Sequence, residues 1–256
     1  MSNKKNVIIT GAAKRIGKGI ALHLAKKGWA ITIHFHKSKR DAFQLEKLIK
    51  KQGGRAKCIQ ADLNVEEEIE NLVQEAKRKF GPITCLINNA SNFEIDNLKS
   101  LTKKTWDLNI NINLRAPLLL IQRFKKQLPK SISGNIINII DQRVWNLTPY
   151  FTSYTVSKVG LWTLTKTLAM VLSPKIRVNA VGPGPTFPSK YQTKKGFNRQ
   201  VQSTILKKRI KTQDICNAID LLLSNQAITG QMIATDGGQH LRWNKSDIDF
   251  INNKKK

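Results

Sequence analysis

The chain is short of the groups that bind metals or cross-link a fold. Its 256 residues include three cysteines, Cys58, Cys85 and Cys216, far apart and without a CxxC spacing. That excludes a disulfide framework and a thiolate metal site, and leaves small buried side chains as their expected role. The four histidines form no HxxxH pattern, so no metal is expected. No apolar run approaches the roughly 18 residues of a membrane span. Behind Lys4 and Lys5 the apolar run covers only Val7 to Ile9 before Thr10-Gly11 cuts it off, too short for a signal-peptide core. A cytoplasmic protein with no membrane partner is expected. Repeats, Pro/Ser linkers and low-complexity segments are missing too, which argues for one domain over 1–256.

Acidic residues are scarce: 17 Asp+Glu stand against 44 Lys+Arg, a formal charge of +27. Such a charge attracts polyanions. The cations are spread over the whole chain, however, without a basic–aromatic repeat, a zinc finger or a recognition helix. A solvated basic surface is the expectation, rather than a nucleic-acid site.

What is present is a strict alternation. Short β-rich apolar runs are expected as strands at Asn6–Thr10, Ala30–His36, Ala56–Ala61, Ile83–Asn88, Gly134–Ile140, Ile176–Ala180 and Gln231–Thr235. Between them lie helical patterns near Ile16–Lys27, Asp41–Lys51, Val65–Lys79, Lys103–Lys126, Thr152–Leu172 and Thr212–Leu223. Continuously apolar strands such as NVIIT and NIINII fit burial on both faces of a parallel sheet. The alternation therefore predicts an α/β fold, a doubly wound, seven-stranded parallel sheet of the Rossmann kind. Pro and Gly crowd the start of GPGPTFPSKYQTKKGFNRQVQ, so 183–202 is expected to be a substrate loop. The final residues, 252–256, read as a disordered tail.

Two local patterns carry chemistry. Thr10-Gly11-Ala12-Ala13-Lys14-Arg15-Ile16-Gly17 turns from the first strand into the first helix, where small residues admit a pyrophosphate to free N–H groups. At the end of the second strand His36 runs into Lys37, Ser38, Lys39 and Arg40, with no acid before Asp41. A carboxylate there would favour NAD; a basic cluster accommodates a 2′-phosphate, so NADP(H) is the expected cofactor. Tyr154 and Lys158 are four apart and share a helix face. An ammonium near a phenol favours phenolate, which would bring the tyrosine toward the working pH.

Thr10-Gly11…Gly17, Asn88-Asn89-Ala90, Asn113, Tyr154-x3-Lys158, Pro183-Gly184 and Asp236-Gly237-Gly238 together resemble the short-chain dehydrogenase/reductase family over nearly the whole chain. Two departures stand out: Arg15 replaces the middle glycine of TGxxxGxG, and Asp141 stands where the family's catalytic serine is usual. Both look like the pteridine reductase branch, which includes dihydromonapterin and alternative dihydrofolate reductases. That branch is also similar at His34-Phe35-His36-Lys37-Ser38 and Asn89-Ala90-Ser91-Asn92-Phe93.

The resemblance implies a catalytic set of Asp141, Tyr154, Lys158 and Asn113. It implies cofactor contacts from Gly11, Arg15, Ile16, Gly17, His36, Lys37, Ser38, Asp62, Leu63, Asn89, Ala90, Ser91, Lys158, Pro183 and Gly184. Arg15, Ser91, Phe93, Asp141 and Tyr154 would meet the substrate, with Phe93 stacking a pterin ring. It also implies a homodimer or homotetramer through the helices near Lys103–Lys126 and Thr152–Leu172. Asp141 suits a C=N substrate, whose ring nitrogen must be protonated as hydride reaches the adjacent carbon. Two other readings stay open: reduction of a carbonyl such as a 3-oxoacyl thioester, and a non-catalytic NADP-binding protein with a basic partner surface.

Overall fold

In the computed structural model, residues 5–242 are described; the expected tail at 252–256 lies outside them. The alternation resolves into β1 (Asn6–Ile9), α1 (Arg15–Lys26), β2 (Ala30–Phe35), α2 (Lys39–Lys51), β3 (Arg55–Gln60), α3 (Glu66–Phe80) and β4 (Cys85–Asn88). Then come α4 (Lys103–Ile110), a π-helical turn (Asn111–Arg115), α5 (Ala116–Gln127), β5 (Gly134–Ile139), a 3₁₀ turn (Gln142–Val144) and α6 (Thr152–Leu172). β6 (Ile176–Pro183), α7 (Lys194–Gln202), α8 (Thr212–Ser224), β7 (Met232–Thr235) and a 3₁₀ turn (Gln239–Leu241) complete the order.

All seven strands are parallel in the order β3-β2-β1-β4-β5-β6-β7. Every residue of β1 and β4 is buried, because helices cover both faces of the sheet. One face packs Ile20, Leu24, Leu45 and Ile219 from α1, α2 and α8 against it; the other packs Ile69, Leu72, Leu120 and Phe124 from α3 and α5. Strand order reverses between β1 and β4, and the crevice beyond their carboxyl ends is where such sheets take ligands.

One expectation is refined and one corrected. The stretch 103–126 is helical throughout, but its middle turn is π-helical. Ala116 N–H bonds to the carbonyl of Asn111, five residues back, and Pro117, on the first turn of α5, has no N–H to give to Asn113. The ladder widens where its next donor is missing. The expected loop at 183–202 also holds more order: β6 runs to Pro183, and 194–202 is helical. There the Thr193 hydroxyl caps Gly196 N–H at 3.1 Å, while Phe197 and Val201, four apart, are buried.

Candidate active site

The turn after β1 is bound to the end of β4. Thr10 Oγ1 accepts the N–H groups of Asn89 and Ala90, both at 2.9 Å, and Asn89 Nδ2 donates to the carbonyls of Thr10 and Gly11. Glycine is required at two points here. Gly11 has φ +61, and a Cβ on it would sit 3.0 Å from Ala90 Cα; a Cβ on Gly17 would lie 2.5 Å from the Gly11 oxygen. Arg15 itself holds φ +52, the left-handed conformation that a glycine takes without strain. Its guanidinium lies over the Phe187 ring and donates to the Phe187 carbonyl at 3.2 Å. Ile16 lies just after it in the first turn of α1.

His34 fixes the same turn from below, a role not seen in the sequence. Its Nε2 faces the Ala61 carbonyl at 3.1 Å and must donate, so Nδ1 is the lone pair that accepts Gly11 N–H at 3.0 Å. Burial lowers its pKa to about 4 and keeps the ring neutral.

Two helix N-termini converge on the crevice. The first turn of α1 carries no acid, and the Lys14 side chain does not cap its N–H groups. Ser38 caps α2 without a side-chain bond either, while His36, Lys37, Lys39 and Arg40 are exposed around it. Asp41 is engaged by Lys14 at 3.1 Å. Asp62 follows β3, accepts from Asn64 N and Nδ2, and lies 3.6 Å from His36 Nε2. The backbone bond from Asn64, above all, lowers its pKa. The Leu63 side chain next to it is buried in the core beside Ile59 and Ile69. Pro183 and Gly184 end β6 at the same edge, with Gly184 N–H bonded to Thr235 O.

Asp141, Tyr154, Lys158 and Asn113 come together. Asp141 follows β5 in extended conformation; Oδ1 accepts Arg143 N–H at 2.9 Å and Oδ2 accepts the Tyr154 hydroxyl at 3.0 Å. Tyr154 and Lys158 are both buried, a turn apart on α6. Lys158 Nζ donates to the Ile139 carbonyl at 3.0 Å, 5.7 Å from the centre of the Tyr154 ring. Burial lowers its pKa to about 8. The expected lowering of Tyr154 is reversed: burial first, then the Asp141 carboxylate, push its pKa well above the ordinary value. Lys158 leans toward a backbone carbonyl, whereas Asp141 touches the phenol directly.

Asn113 sits in the π-helical turn. Its Oδ1 accepts Asn92 N–H at 2.8 Å and the Ser91 hydroxyl at 3.1 Å; its Nδ2 donates to Asn92 O and Ser157 Oγ. The Phe93 ring, half-buried, stacks on Phe151 with centroids 4.9 Å apart and meets Tyr154 edge-on at 4.8 Å. Phe151 has φ +63, and the Arg143 guanidinium covers its ring at 4.6 Å. Glu94 accepts from Lys190 Nζ at 2.7 Å and Tyr191 OH at 2.5 Å, tying the Phe93 loop to the segment before α7. No signal in the sequence paired these residues.

Comparison with known proteins places this arrangement. A family model described as enoyl-(acyl carrier protein) reductase matches residues 11–240. The FolM alternative dihydrofolate reductase 1 of Brucella canis, crystallised with NADP, superposes with a TM-score of 0.93 at 43% identity, covering 97% of this chain and 98% of its own. Its counterpart from Brucella suis, also in complex with NADP, gives 0.93 at 42% identity, over 96% and 99%. The 3-oxoacyl-(acyl-carrier-protein) reductase FabG of Staphylococcus epidermidis is 31% identical over 242 residues, 93% of this chain and 99% of that protein.

Proposed function

The chain belongs to the short-chain dehydrogenase/reductase family of oxidoreductases, and from that premise we propose that it is an NADPH-dependent reductase of a C=N bond in a dihydropterin or dihydrofolate-type substrate. The observation that carries the reading is the Asp141 carboxylate bonded to the Tyr154 hydroxyl at 3.0 Å, with the Tyr154 and Phe93 rings edge-on at 4.8 Å. The Brucella FolM structures, named as alternative dihydrofolate reductases with NADP, support it.

The residues present fit the cofactor. The first turn of α1 offers N–H groups and no competing acid to a pyrophosphate, with Gly11, Ile16, Gly17 and Arg15 around it. His36, Lys37 and Ser38, with Lys39 and Arg40 beside them, form the cationic surface a 2′-phosphate needs. Asp62, Leu63, Asn89, Ala90, Ser91, Lys158, Pro183 and Gly184 complete the contacts we assign, Leu63 through its main chain because its side chain is in the core. When bound, NADPH supplies the hydride.

The protein's own part is the proton. The Tyr154 phenol holds its proton at neutral pH as any phenol does, and its raised pKa makes it a reluctant acid that depends on its neighbours to release that proton. Asp141 accepts that hydroxyl through one oxygen while Arg143 N–H pins the other, so the carboxylate is held for relay or for an amino-pyrimidine edge. The Lys158 ammonium offsets negative charge as the phenol gives up its proton. Asn113 clamps the backbone of the loop carrying Ser91 and Phe93, which we assign to the flat substrate ring; Arg15, at the crevice edge, is assigned to cofactor phosphate and the pterin oxygen. Exposed Val156, Val159, Met170 and Val171 on α6 support assembly as a homodimer or homotetramer, which light scattering would read directly.

The test is NADPH oxidation with dihydrobiopterin, dihydromonapterin and dihydrofolate. No turnover with any of them, in folded protein that binds NADPH, would sink the reading. The identity with 3-oxoacyl-(acyl-carrier-protein) reductase favours a second one, reduction of a carbonyl thioester. Asp141→Ser separates the two. A pterin reductase should lose about 100-fold in kcat, whereas a carbonyl reductase should keep its rate with an acetoacetyl thioester.

A further inference from the structure

Asp96 is fully buried three residues beyond Phe93, and both its carboxylate oxygens bond to the start of α6. Oδ1 accepts Ser153 N–H at 3.1 Å, and Oδ2 accepts the Ser153 hydroxyl in a short bond. Its main-chain oxygen accepts Phe151 N–H at 2.7 Å and Thr152 N–H at 3.4 Å. Among the described residues it has no ion pair. The next residue on α6 is Tyr154.

The arrangement is unusual for a helix start. A helix's first N–H groups are normally satisfied by a polar side chain at the cap itself. Here the cap position is Phe151, whose side chain makes no such bond and whose ring is stacked on Phe93. The cap is supplied from 57 residues away, along with the negative charge that suits the positive end of the helix. The bonds continue as a chain. Ser153 Oγ accepts from Asn109 Nδ2 at 2.7 Å, Asn109 Oδ1 accepts from Asn92 Nδ2 at 3.0 Å, and Asn92 is held by Asn113. One buried network thus joins the Phe93 loop, the π-helical turn and the first turn of α6.

We propose that Asp96 is the positioning residue of this site: by capping α6 in place of Phe151, it sets the Tyr154 hydroxyl against Asp141 and frees the Phe151 ring to pair with Phe93. It touches no reacting group itself. Its effect on turnover rests on the reductase reading above; its effect on loop and helix order does not.

The test uses the NADPH-loaded protein. In Asp96→Asn the amide still has an oxygen for Ser153 N–H, but its NH2 cannot accept the Ser153 hydroxyl. Expected are a kcat roughly 10- to 100-fold lower with the best dihydropterin and an NADPH KM within about twofold of wild type, as the cofactor turn is untouched. The acid-to-alkaline profile of kcat should shift with it, because the phenol–carboxylate contact changes. Peptide-resolved hydrogen exchange should quicken in 91–97 and 151–155 alone. Ser153→Ala, which deletes only the hydroxyl, should show the same pattern more weakly and serves if Asp96→Asn does not fold. An unchanged kcat and pH profile in folded variants would overturn the proposal, as would exchange that rises throughout the molecule or stays level in those two segments. Should wild type turn over no dihydropterin, the reductase reading fails alone, and hydrogen exchange decides the role of Asp96.

Discussion

Replacing Lys158 by Met should abolish turnover and yet stabilise the fold at neutral pH. Lys158 is 2% exposed, its Nζ donates to Ile139 O, and its pKa falls from 10.5 to about 8 through burial. That fall, at about 1.4 kcal/mol for each tenfold in proton affinity, sets the buried ammonium at roughly 3 kcal/mol against folding. Met fills a similar volume with a flexible apolar chain. It also strands the Ile139 carbonyl, which takes back about 1–2 kcal/mol. The net gain is about 1–2 kcal/mol, a rise in Tm of roughly 2–6 °C for a chain of this size.

The sign of the pH dependence gives the sharper check. Below pH 8 the lysine is charged in both states and its full destabilising effect is present. Between about pH 8 and 10.5 the unfolded chain binds the proton and the folded one does not, so wild-type stability rises with pH through this group. The advantage of Lys158→Met should therefore be largest at pH 7 and shrink toward pH 10. Urea melts of the cofactor-free proteins at both pH values measure it. A variant less stable than wild type at pH 7, or an advantage that does not change with pH, would refute the reasoning.

His34 predicts acid lability of the same origin, in a lower pH window. Its folded pKa of about 4 lies below the ordinary 6.5, so the stability tied to the neutral ring is complete above 6.5 and is lost as pH falls toward 4, about 3 kcal/mol in all. His34→Gln should flatten the stability curve between those limits relative to wild type; parallel curves would count against the buried, neutral ring. Lys37→Ala combined with Arg40→Ala should weaken NADPH binding about 10- to 100-fold, with NADH little affected and the gap narrowing at high salt. Fluorescence titration of the two nucleotides reads this, and equal losses for both would remove the 2′-phosphate assignment. Asn113→Ala leaves Asn92 N–H without its acceptor and Ser157 Oγ without the donor it accepts, while the Ser157 hydroxyl still donates to Tyr154 O. It should lower kcat about 100-fold and destabilise by about 2–3 kcal/mol, both visible in one preparation by assay and thermal melt.

How far the sequence could be read depended on whether a feature was local. NVII and NIINI announce buried parallel strands because a residue there needs only its own apolar side chain to be placed. Tyr154 and Lys158 were legible through their four-residue spacing, and the basic run after β2 through the lack of an acid. Local rules failed where a distant partner decides. The helix at Lys194–Gln202 was hidden by Gly196 and the prolines before it, although its Thr193 cap and its Phe197 and Val201 contacts outweigh them. The π-helical turn at Asn111–Arg115 needed the missing donor of Pro117 to be counted against the ladder. The Tyr154 pKa went against the simple ammonium argument because burial and a carboxylate 3.0 Å away act more strongly than a lysine turned to Ile139. Asp141 gives the most instructive case. Its residue type was visible, and resemblance suggested its role, but only the fold brings its second oxygen to the phenol while the first is fixed by Arg143 N–H. A carboxylate so held cannot swing away from Tyr154 without breaking its own cap. The same turn that looks like ordinary helix capping is therefore what keeps the proton-handling pair together.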